Sequence, residues 1–294
     1  MKKNLLSKTL VIGIIIIFVG ASVIPSVMSA EKQKLQAVTT MQNTWYVDDN
    51  GNNSNSGTSW EDAWEHINYA IGHTSVIGGD TIRVGDGTYY ENVILDRRIF
   101  LTGNGSANTI IDGGGVGDVV YVSVNSVSIS EFTIRNSGIG EDPCSGIVVA
   151  TQERISIIKN TITDNQYGIE IAGNECIVSG NIITNNSCGI QTFGILNTFS
   201  RNNISNNNYS GIQIMGFLDF ATRNKIYNNN FINNPENAFF MMAPLNFWFL
   251  NYWDRPRLLP YPIFGFLALI PPIPWFQFDW RPALKPNDIS QVAI

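Results

Sequence analysis

The sequence is poor in the residues on which most metal and redox chemistry relies. Its 294 residues include two histidines and three cysteines, too few for the His- and Cys-rich sites that bind zinc or copper. Charged residues make up 14% of the chain, and the formal net charge is −6. Nucleic acids are drawn to basic surfaces, so no nucleic-acid partner is expected. We predict no cofactor and no metal site.

Proline is scarce in most of the chain and abundant at its end. Ten of the twelve prolines lie from Pro235 onward, where glycine occurs once, at Gly265. Because proline cannot donate to a sheet, this composition predicts an irregular C-terminal cap over residues 241–294, with an aromatic lid packed on the end of the domain. The alternative is that the apolar stretch from Ile263 to Ile273 is an exposed patch that stacks on sugars or touches a membrane.

The N-terminus carries a long apolar run. Lysines precede a stretch from Leu10 to about Ile24, and small residues follow at Ser29 and Ala30. This is the layout of a secretory signal, so residues 1–30 are predicted to be a signal peptide and residues 31–44 a linker. An uncleaved signal that anchors the chain in a membrane is the alternative. In both cases the folded part is expected outside the cytoplasm, secreted or attached to the cell surface.

What the chain has in abundance is a short repeat. A Gly-Ile pair recurs every 21 or 22 residues, at Gly146, Gly168, Gly189 and Gly211. Asparagine keeps the same interval, at Asn160, Asn181 and Asn202. The β-branched runs between these residues are too short for helices, so each repeat is predicted to be one coil of a parallel β-helix. Alternation puts Ile169 inside and Glu170 outside. Asparagines suit the corners, where stacked amides can form hydrogen-bonded ladders.

This repeat resembles the right-handed β-helix family with the pectin-lyase-like fold, specifically its NosD-like, carbohydrate-binding and sugar-hydrolysis branch. The period, the Gly-Ile-x-Ile strands and the asparagine corners carry the resemblance over roughly residues 80–235. We expect an all-β, single-stranded right-handed parallel β-helix of about seven coils over residues 81–240. Residues 45–80 are predicted to add a first strand and a short N-terminal capping helix. The resemblance implies a fold but no single activity, because the family includes lyases, hydrolases, adhesins and binding modules.

The outward positions of the Gly-Ile strands are the candidate functional residues. Glu170, Gln191 and Gln213 form a ribbon along the coils, with Tyr167 and Tyr209 beside it. Amides and carboxylates hydrogen-bond to sugar hydroxyls, and tyrosine rings stack on pyranose rings. The ribbon is therefore predicted to bind a polysaccharide or a cell-envelope glycan, without catalysis. The alternative is a solvated face whose amides bond only to one another.

Catalytic groups are harder to find in the repeats. A glycosidase needs two carboxylates roughly 5–10 Å apart, and Asp164 and Glu170 are the only acidic pair close together in one coil between residues 144 and 234. Asp164 sits at a corner, where aspartate commonly forms a turn. A polysaccharide lyase or glycoside hydrolase is therefore the alternative function. A structural or adhesive surface protein is the third.

A loop near the start of the folded part resembles a calcium-binding loop. It has the order Asp48-x-Asn50-x-Asn52, but Asn53 stands where such a loop needs glycine and Ser59 where it needs glutamate. We interpret it as a turn.

Overall fold

The computed structural model describes residues 42–140, 144–216, 221–269 and 272–289. The predicted signal peptide lies outside the described residues, as does most of the predicted linker. Within the described part, no helix is long and apolar enough to cross a membrane.

Three parallel ladders of strands run along the domain, and each coil adds one strand to each ladder. The first ladder contains β1 (Thr44–Val47), β2 (Thr81–Val84), β5 (Phe100–Thr102), β8 (Ser128–Ser130), β11 (Ser156–Ile158), β14 (Ile177–Ser179), β17 (Thr198–Ser200), β20 (Lys225–Tyr227) and β23 (Phe247–Phe249). The second contains β3 (Gly87–Tyr89), β6 (Thr109–Asp112), β9 (Thr133–Arg135), β12 (Thr161–Thr163), β15 (Ile182–Thr184), β18 (Asn203–Ser205), β21 (Asn230–Ile232) and β24 (Tyr252–Trp253). The third contains β4 (Val93–Leu95), β7 (Val120–Val122), β10 (Ser145–Val149), β13 (Tyr167–Ile171), β16 (Cys188–Thr192), β19 (Ser210–Met215), β22 (Glu236–Met241) and β25 (Tyr261–Leu269).

The second ladder has eight strands, so the described residues form eight coils. Seven of them are complete at Met241, in agreement with the count of about seven predicted for residues 81–240. The eighth, made of β23, β24 and β25, lies in the segment expected to be irregular.

The core is a set of aligned side-chain columns inside the coils. In the third ladder the register pairs one isoleucine with the next, and all four are fully buried: Ile147, Ile169, Ile190 and Ile212. Each buried isoleucine stabilises the fold by about 1.5–3 kcal/mol. A single coil therefore has little stability of its own, and the stack supplies it.

Buried asparagines form ladders at the corners, as expected. Between the first and second strands of successive coils, Asn181 donates its Nδ2–H to the Oδ1 of Asn202 at 3.0 Å, and Asn202 donates likewise to Asn229 at 3.0 Å. The left-handed conformation falls on the residue ahead of the ladder asparagine, for example Arg201 with φ 53°. The ladder asparagines thus point inward and supply hydrogen-bond partners for the backbone N–H and carbonyl groups at the bend.

The N-terminal end of the coils is covered by one short helix, α1 (Ile67–Gly72), which packs against β1, β2 and β4. Its buried residues are Ile67, Ala70 and Ile71. The carboxylate of Glu91 accepts the N–H groups of Ile67 at 2.8 Å and of Asn68 at 2.9 Å. These N–H groups have no partner within the helix, so Glu91 acts as its cap.

The C-terminal segment is irregular only in part, since residues 254–260 and 280–289 lie outside strands while β23 to β25 form an eighth coil, and this corrects the expectation of an irregular cap. After the eighth coil, β26 (Pro272–Asp279) turns back and pairs antiparallel with β25. The prolines are tolerated because β26 is the last strand of the stack: Pro272 and Pro274 lie on it, where a missing N–H costs little. Edge prolines also block the addition of further strands. The proline-rich composition therefore does indicate where the stack of coils ends. The end lies one coil beyond residue 240, where we had predicted it.

Candidate functional site

The third ladder presents one continuous column of outward side chains, which we call the ribbon. Strand register aligns Ile94, Tyr121, Val148, Glu170, Gln191, Gln213, Phe239 and Phe264. Neighbouring members are separated by about 4.8 Å, the spacing of hydrogen-bonded strands. The three predicted residues, Glu170, Gln191 and Gln213, are therefore the middle of a longer column that is apolar at both ends.

The two glutamines of the ribbon are bonded to each other. The Nε2 of Gln191 donates to the Oε1 of Gln213 at 3.1 Å. Gln213 is only 8% exposed, whereas Gln191 is half-buried. Of the two amides, Gln191 is the one within reach of a ligand, and Gln213 holds it in place.

The two tyrosines beside the ribbon differ in exposure. Tyr209 is 64% exposed, so its ring is open to stacking. Tyr167 is half-buried, and burial raises the pKa of its hydroxyl, with smaller contributions from Cys188 and Glu170 and an opposing hydrogen bond from Gln191. Tyr167 is thus a half-buried hydroxyl beside Gln191 that stays protonated to higher pH than a free tyrosine does.

Glu170 is the charged member of the ribbon. Burial raises the pKa of its carboxyl group, and nearby Asp118 raises it further. The hydroxyl of Ser145 opposes this shift by donating to Oε2 at 3.3 Å. Glu170 therefore holds its proton to higher pH than a free glutamate does.

Asp118 and Glu170 are joined through a single residue. Ser145 donates its backbone N–H to the Oδ1 of Asp118 at 2.7 Å and its hydroxyl to Glu170. Asp118 was not among the predicted site residues, because it lies ahead of residues 144–234, the stretch in which the clearest repeats and the acidic pair were found. Asp118 lies two residues before β7, a strand of the third ladder. Because strands of one ladder begin at the same edge, this position could have indicated that Asp118 lies near the start of β10.

Asp164, the predicted partner of Glu170, lies at an exposed corner. It has φ 57°, the left-handed conformation that Asn185 and Asn206 take at the same corner of the next two coils. The hydroxyl of Thr163 donates to its Oδ2 at 3.0 Å. These features belong to a turn, and Asp118 is the carboxylate that the structure links to Glu170.

A depression of about 230 Å³ lies at the N-terminal end of the ribbon. Its walls include Asp118, Val116 and Asn92, and the ribbon residues Ile94 and Tyr121 form part of its lining. Close to this depression, the Oε1 of Gln166 accepts the N–H of Gly140 at 3.3 Å. The depression adjoins the ribbon at Ile94 and Tyr121, and we call the two together the third-ladder groove.

The residues described by the structure contain no group of three or more His, Cys, Asp or Glu that could hold a metal ion. In the calcium-like loop, the side chain of Asp48 accepts the N–H of Asn50 at 2.9 Å, and that of Asn52 accepts the N–H of Ser54 at 2.8 Å. Both are turn-forming bonds.

Comparisons with known proteins agree on the fold. Residues 118–246 match the family model for the right handed beta helix region. Pectate lyase Pel9A superposes with a TM-score of 0.56 at 16% identity, over 71% of this chain and 63% of that chain. The GH136 lacto-N-biosidase from Eubacterium ramulus superposes with a TM-score of 0.51 at 11% identity, over 72% of this chain and 58% of that chain. No curated protein matched the chain.

The three parallel ladders make the protein a parallel β-helix. Its residues 118–246, a little under half of the chain, are similar to the right handed beta helix region. The chain spans less than two thirds of the length of either solved structure, and at these identities the likeness shows the fold alone. The narrower NosD-like resemblance stays a prediction.

Proposed function

We propose that the protein binds a carbohydrate polymer along the third-ladder groove. One observation carries the proposal: the register places Tyr121, Val148, Glu170 and Gln191 on four successive coils of one face, so that a tyrosine, a carboxylate and an amide lie in one column. Their spacing of about 4.8 Å is close to the length of one sugar unit in an extended chain, so successive units meet successive coils. The fold is shared with a pectate lyase and a lacto-N-biosidase, whose names describe action on carbohydrate, and this supports a glycan as the partner.

Within the groove, each residue has a distinct task. The Tyr209 ring and the Tyr121 ring, 38% exposed, offer faces for stacking on pyranose rings. Gln191 offers an amide whose position is fixed by its hydrogen bond to Gln213. A fixed amide loses little side-chain entropy when it binds a sugar hydroxyl.

The test is retention of the full chain in gels that contain a panel of acidic and neutral polysaccharides. Tyr209→Ala and Gln191→Ala should each weaken retention by about tenfold, the effect of losing one stacking contact or one good hydrogen bond. Thr198→Ala is the matched control, because Thr198 is a half-buried polar residue facing outward on the first ladder. Equal retention of all variants, or no retention of the wild type, would contradict the proposal.

The second candidate function is glycan cleavage by Asp118 and Glu170. The specific observation in its favour is their shared link through Ser145, together with the raised pKa of Glu170. A protonated Glu170 would give its proton to the glycosidic oxygen as the bond to the anomeric carbon breaks. The Asp118 carboxylate would take a proton from the attacking water, whose hydroxyl joins the anomeric carbon.

New chain ends in the same polysaccharide samples distinguish the two candidates. Under the cleavage hypothesis, Glu170→Gln and Asp118→Asn abolish chain ends while retention persists, and Asp164→Asn, at the exposed corner, changes neither. Retention without chain ends in the wild type leaves binding as the function.

Export is also part of the proposal, because the predicted signal at residues 1–30 precedes the folded part. It is tested by N-terminal sequencing of the protein recovered from the medium and from the membrane fraction. A new N-terminus at residue 30 or 31 is expected in the medium, and recovery only in the membrane fraction with residues 1–30 still attached would favour the anchored alternative.

A further inference from the structure

The C-terminal end of the solenoid exposes a group of aromatic side chains on β23, β26 and the residue after it. We call this group the terminal aromatic face; it consists of Phe247, Phe249, Trp275, Phe276, Phe278 and Trp280. These rings line a shallow depression of about 340 Å³. Trp275 is 50% exposed and Trp280 is 69% exposed. Aromatic rings exposed together on a folded protein indicate a contact surface.

The polar side chains in this depression already have partners within the protein. Gln277 accepts the indole N–H of Trp248 at 2.8 Å and donates to the carbonyl of Ala243 at 2.7 Å. Asn246 donates to two backbone carbonyls. The aromatic rings are therefore left as the main contact groups, and a sugar would find few partners for its hydroxyls. An apolar or interfacial ligand fits this chemistry better.

Strand addition by a second copy of the chain is disfavoured at this end. Pro272 and Pro274 lie on β26, the last strand of the stack, and neither has an N–H to donate. The pairing of β25 with β26 also continues to Leu269 and Pro272, beyond the last pair that β25 forms with β22, at Met241 and Phe266. The hairpin thus extends past the preceding coil.

Charge is distributed unevenly along the chain. Residues 42–244 contain nine lysines and arginines against twenty acidic residues, whereas residues 245–294 contain four against three. Arg255, Arg281 and Lys285 are exposed. Asp279 is buried, and its carboxylate accepts hydrogen bonds from Asn251 and Trp253. Among the described residues of this end, the exposed cations therefore outnumber the exposed acids, which are Asp254 and Asp288.

We propose that the terminal aromatic face binds the surface of an anionic lipid bilayer. Tryptophan and phenylalanine partition into the headgroup region, and arginine and lysine beside them attract anionic lipids. The acidic body is repelled by the same surface, so the solenoid approaches end-on. This orientation keeps the third-ladder groove clear of the bilayer. The proposal is independent of whether the groove binds a glycan.

The test uses the full chain and vesicles of phosphatidylcholine with phosphatidylglycerol, a fraction of the lipid carrying bromine in its acyl chains. Bromine quenches tryptophan fluorescence at short range, and all seven tryptophans lie outside residues 1–41. Quenching therefore reports contact by the folded domain even if the N-terminal apolar run also binds lipid. We expect quenching of the wild type, and at least a fivefold loss of apparent affinity for each of Arg281→Glu and Lys285→Glu, since one basic residue contributes about a factor of five near an anionic surface.

The decisive variant is Phe276→Ser with Phe278→Ser, which keeps every tryptophan and alters exposed rings only. It should abolish most of the quenching, while Tyr90→Ser, an exposed ring in the first coil, should not change it. Absence of quenching in the wild type would overturn the proposal. So would equal quenching in the double variant, which would assign lipid contact to another segment. A third outcome would also overturn the proposal: no quenching by vesicles, together with a dimer in solution that the double variant dissociates. That result would assign the terminal aromatic face to contact with a second copy of the chain.

Discussion

The Nε2 of Gln191 lies 3.1 Å from the Oε1 of Gln213, so two amides that face outward by strand alternation bind each other across adjacent coils. Gln213 is also buried. Replacing it with alanine removes a partly buried hydrogen bond, and we expect Gln213→Ala to lower the free energy of unfolding by about 0.5–1.5 kcal/mol. Gln191→Ala should cost less, because Gln191 is more exposed. Urea unfolding followed by tryptophan fluorescence measures both. Equal costs would show that burial of Gln213 does not matter.

The asparagine ladders predict a large difference between two nearby asparagines. Asn202 is fully buried, accepts from the backbone N–H of Asn181 and donates to Val178 and Asn229. Asn202→Ala leaves several of these groups without partners and should cost at least about 1–3 kcal/mol. Asn208→Ala, at an exposed position, is the matched control and should change stability by less than about 0.5 kcal/mol. Similar urea midpoints for the two variants would contradict this account of the corners.

Much of the fold follows from the sequence because its signals are local and repeated. The alternation around Ile169 and Glu170 determines which side chains are buried, and the 21- or 22-residue interval determines which residues stack. The ladder amides, too, could be predicted from identical residues at a constant interval. The point at which the coils end could not be predicted, because the prolines of β26 are compatible both with an irregular tail and with a last strand.

The candidate site was less predictable, for two physical reasons. Side-chain bonds across coils decide exposure, and alternation alone could not show that Gln213 is covered while Tyr209 is open. Asp118 and Glu170 are far apart in sequence, and their link depends on both the backbone and the hydroxyl of Ser145. That link becomes visible only in the structure, where β10 lies between β7 and β13.

The repeated glycines predict a steric effect. Gly189 faces the next coil so closely that a Cβ built on it would lie 2.5 Å from the carbonyl oxygen of Gly211. Because that oxygen belongs to the backbone of a ladder strand, it cannot move without disturbing the pairing. Gly189→Ala should therefore destabilise the protein by about 1–3 kcal/mol or more. Gly72→Ala is the control, since a Cβ there meets nothing within 4 Å. Thermal melting of both variants checks the prediction, and a neutral Gly189→Ala would sink it.

The raised pKa of Glu170 predicts a pH-dependent stability. Burial is the main cause of the shift, so the folded state binds this proton more tightly than the unfolded state does. Stability is therefore lost as the pH rises from the unfolded pKa, about 4.3, through the folded pKa, and the loss persists above it. Glu170→Gln removes the ionisation and should be more stable than the wild type at pH 7.5, with a difference that shrinks toward pH 4.

The measurement is the urea midpoint of both proteins at pH 4 and pH 7.5. Glu175→Gln is the control, because the side chain of Glu175 is 50% exposed, 3.8 Å from Arg154, and its replacement should change little at either pH. If Glu170→Gln is less stable than the wild type at pH 7.5, the ionised carboxylate stabilises the fold and the effect of burial has been overestimated. If the predicted gain is found, the protein keeps a destabilising acid on the ribbon, as proteins do at sites that act on a ligand.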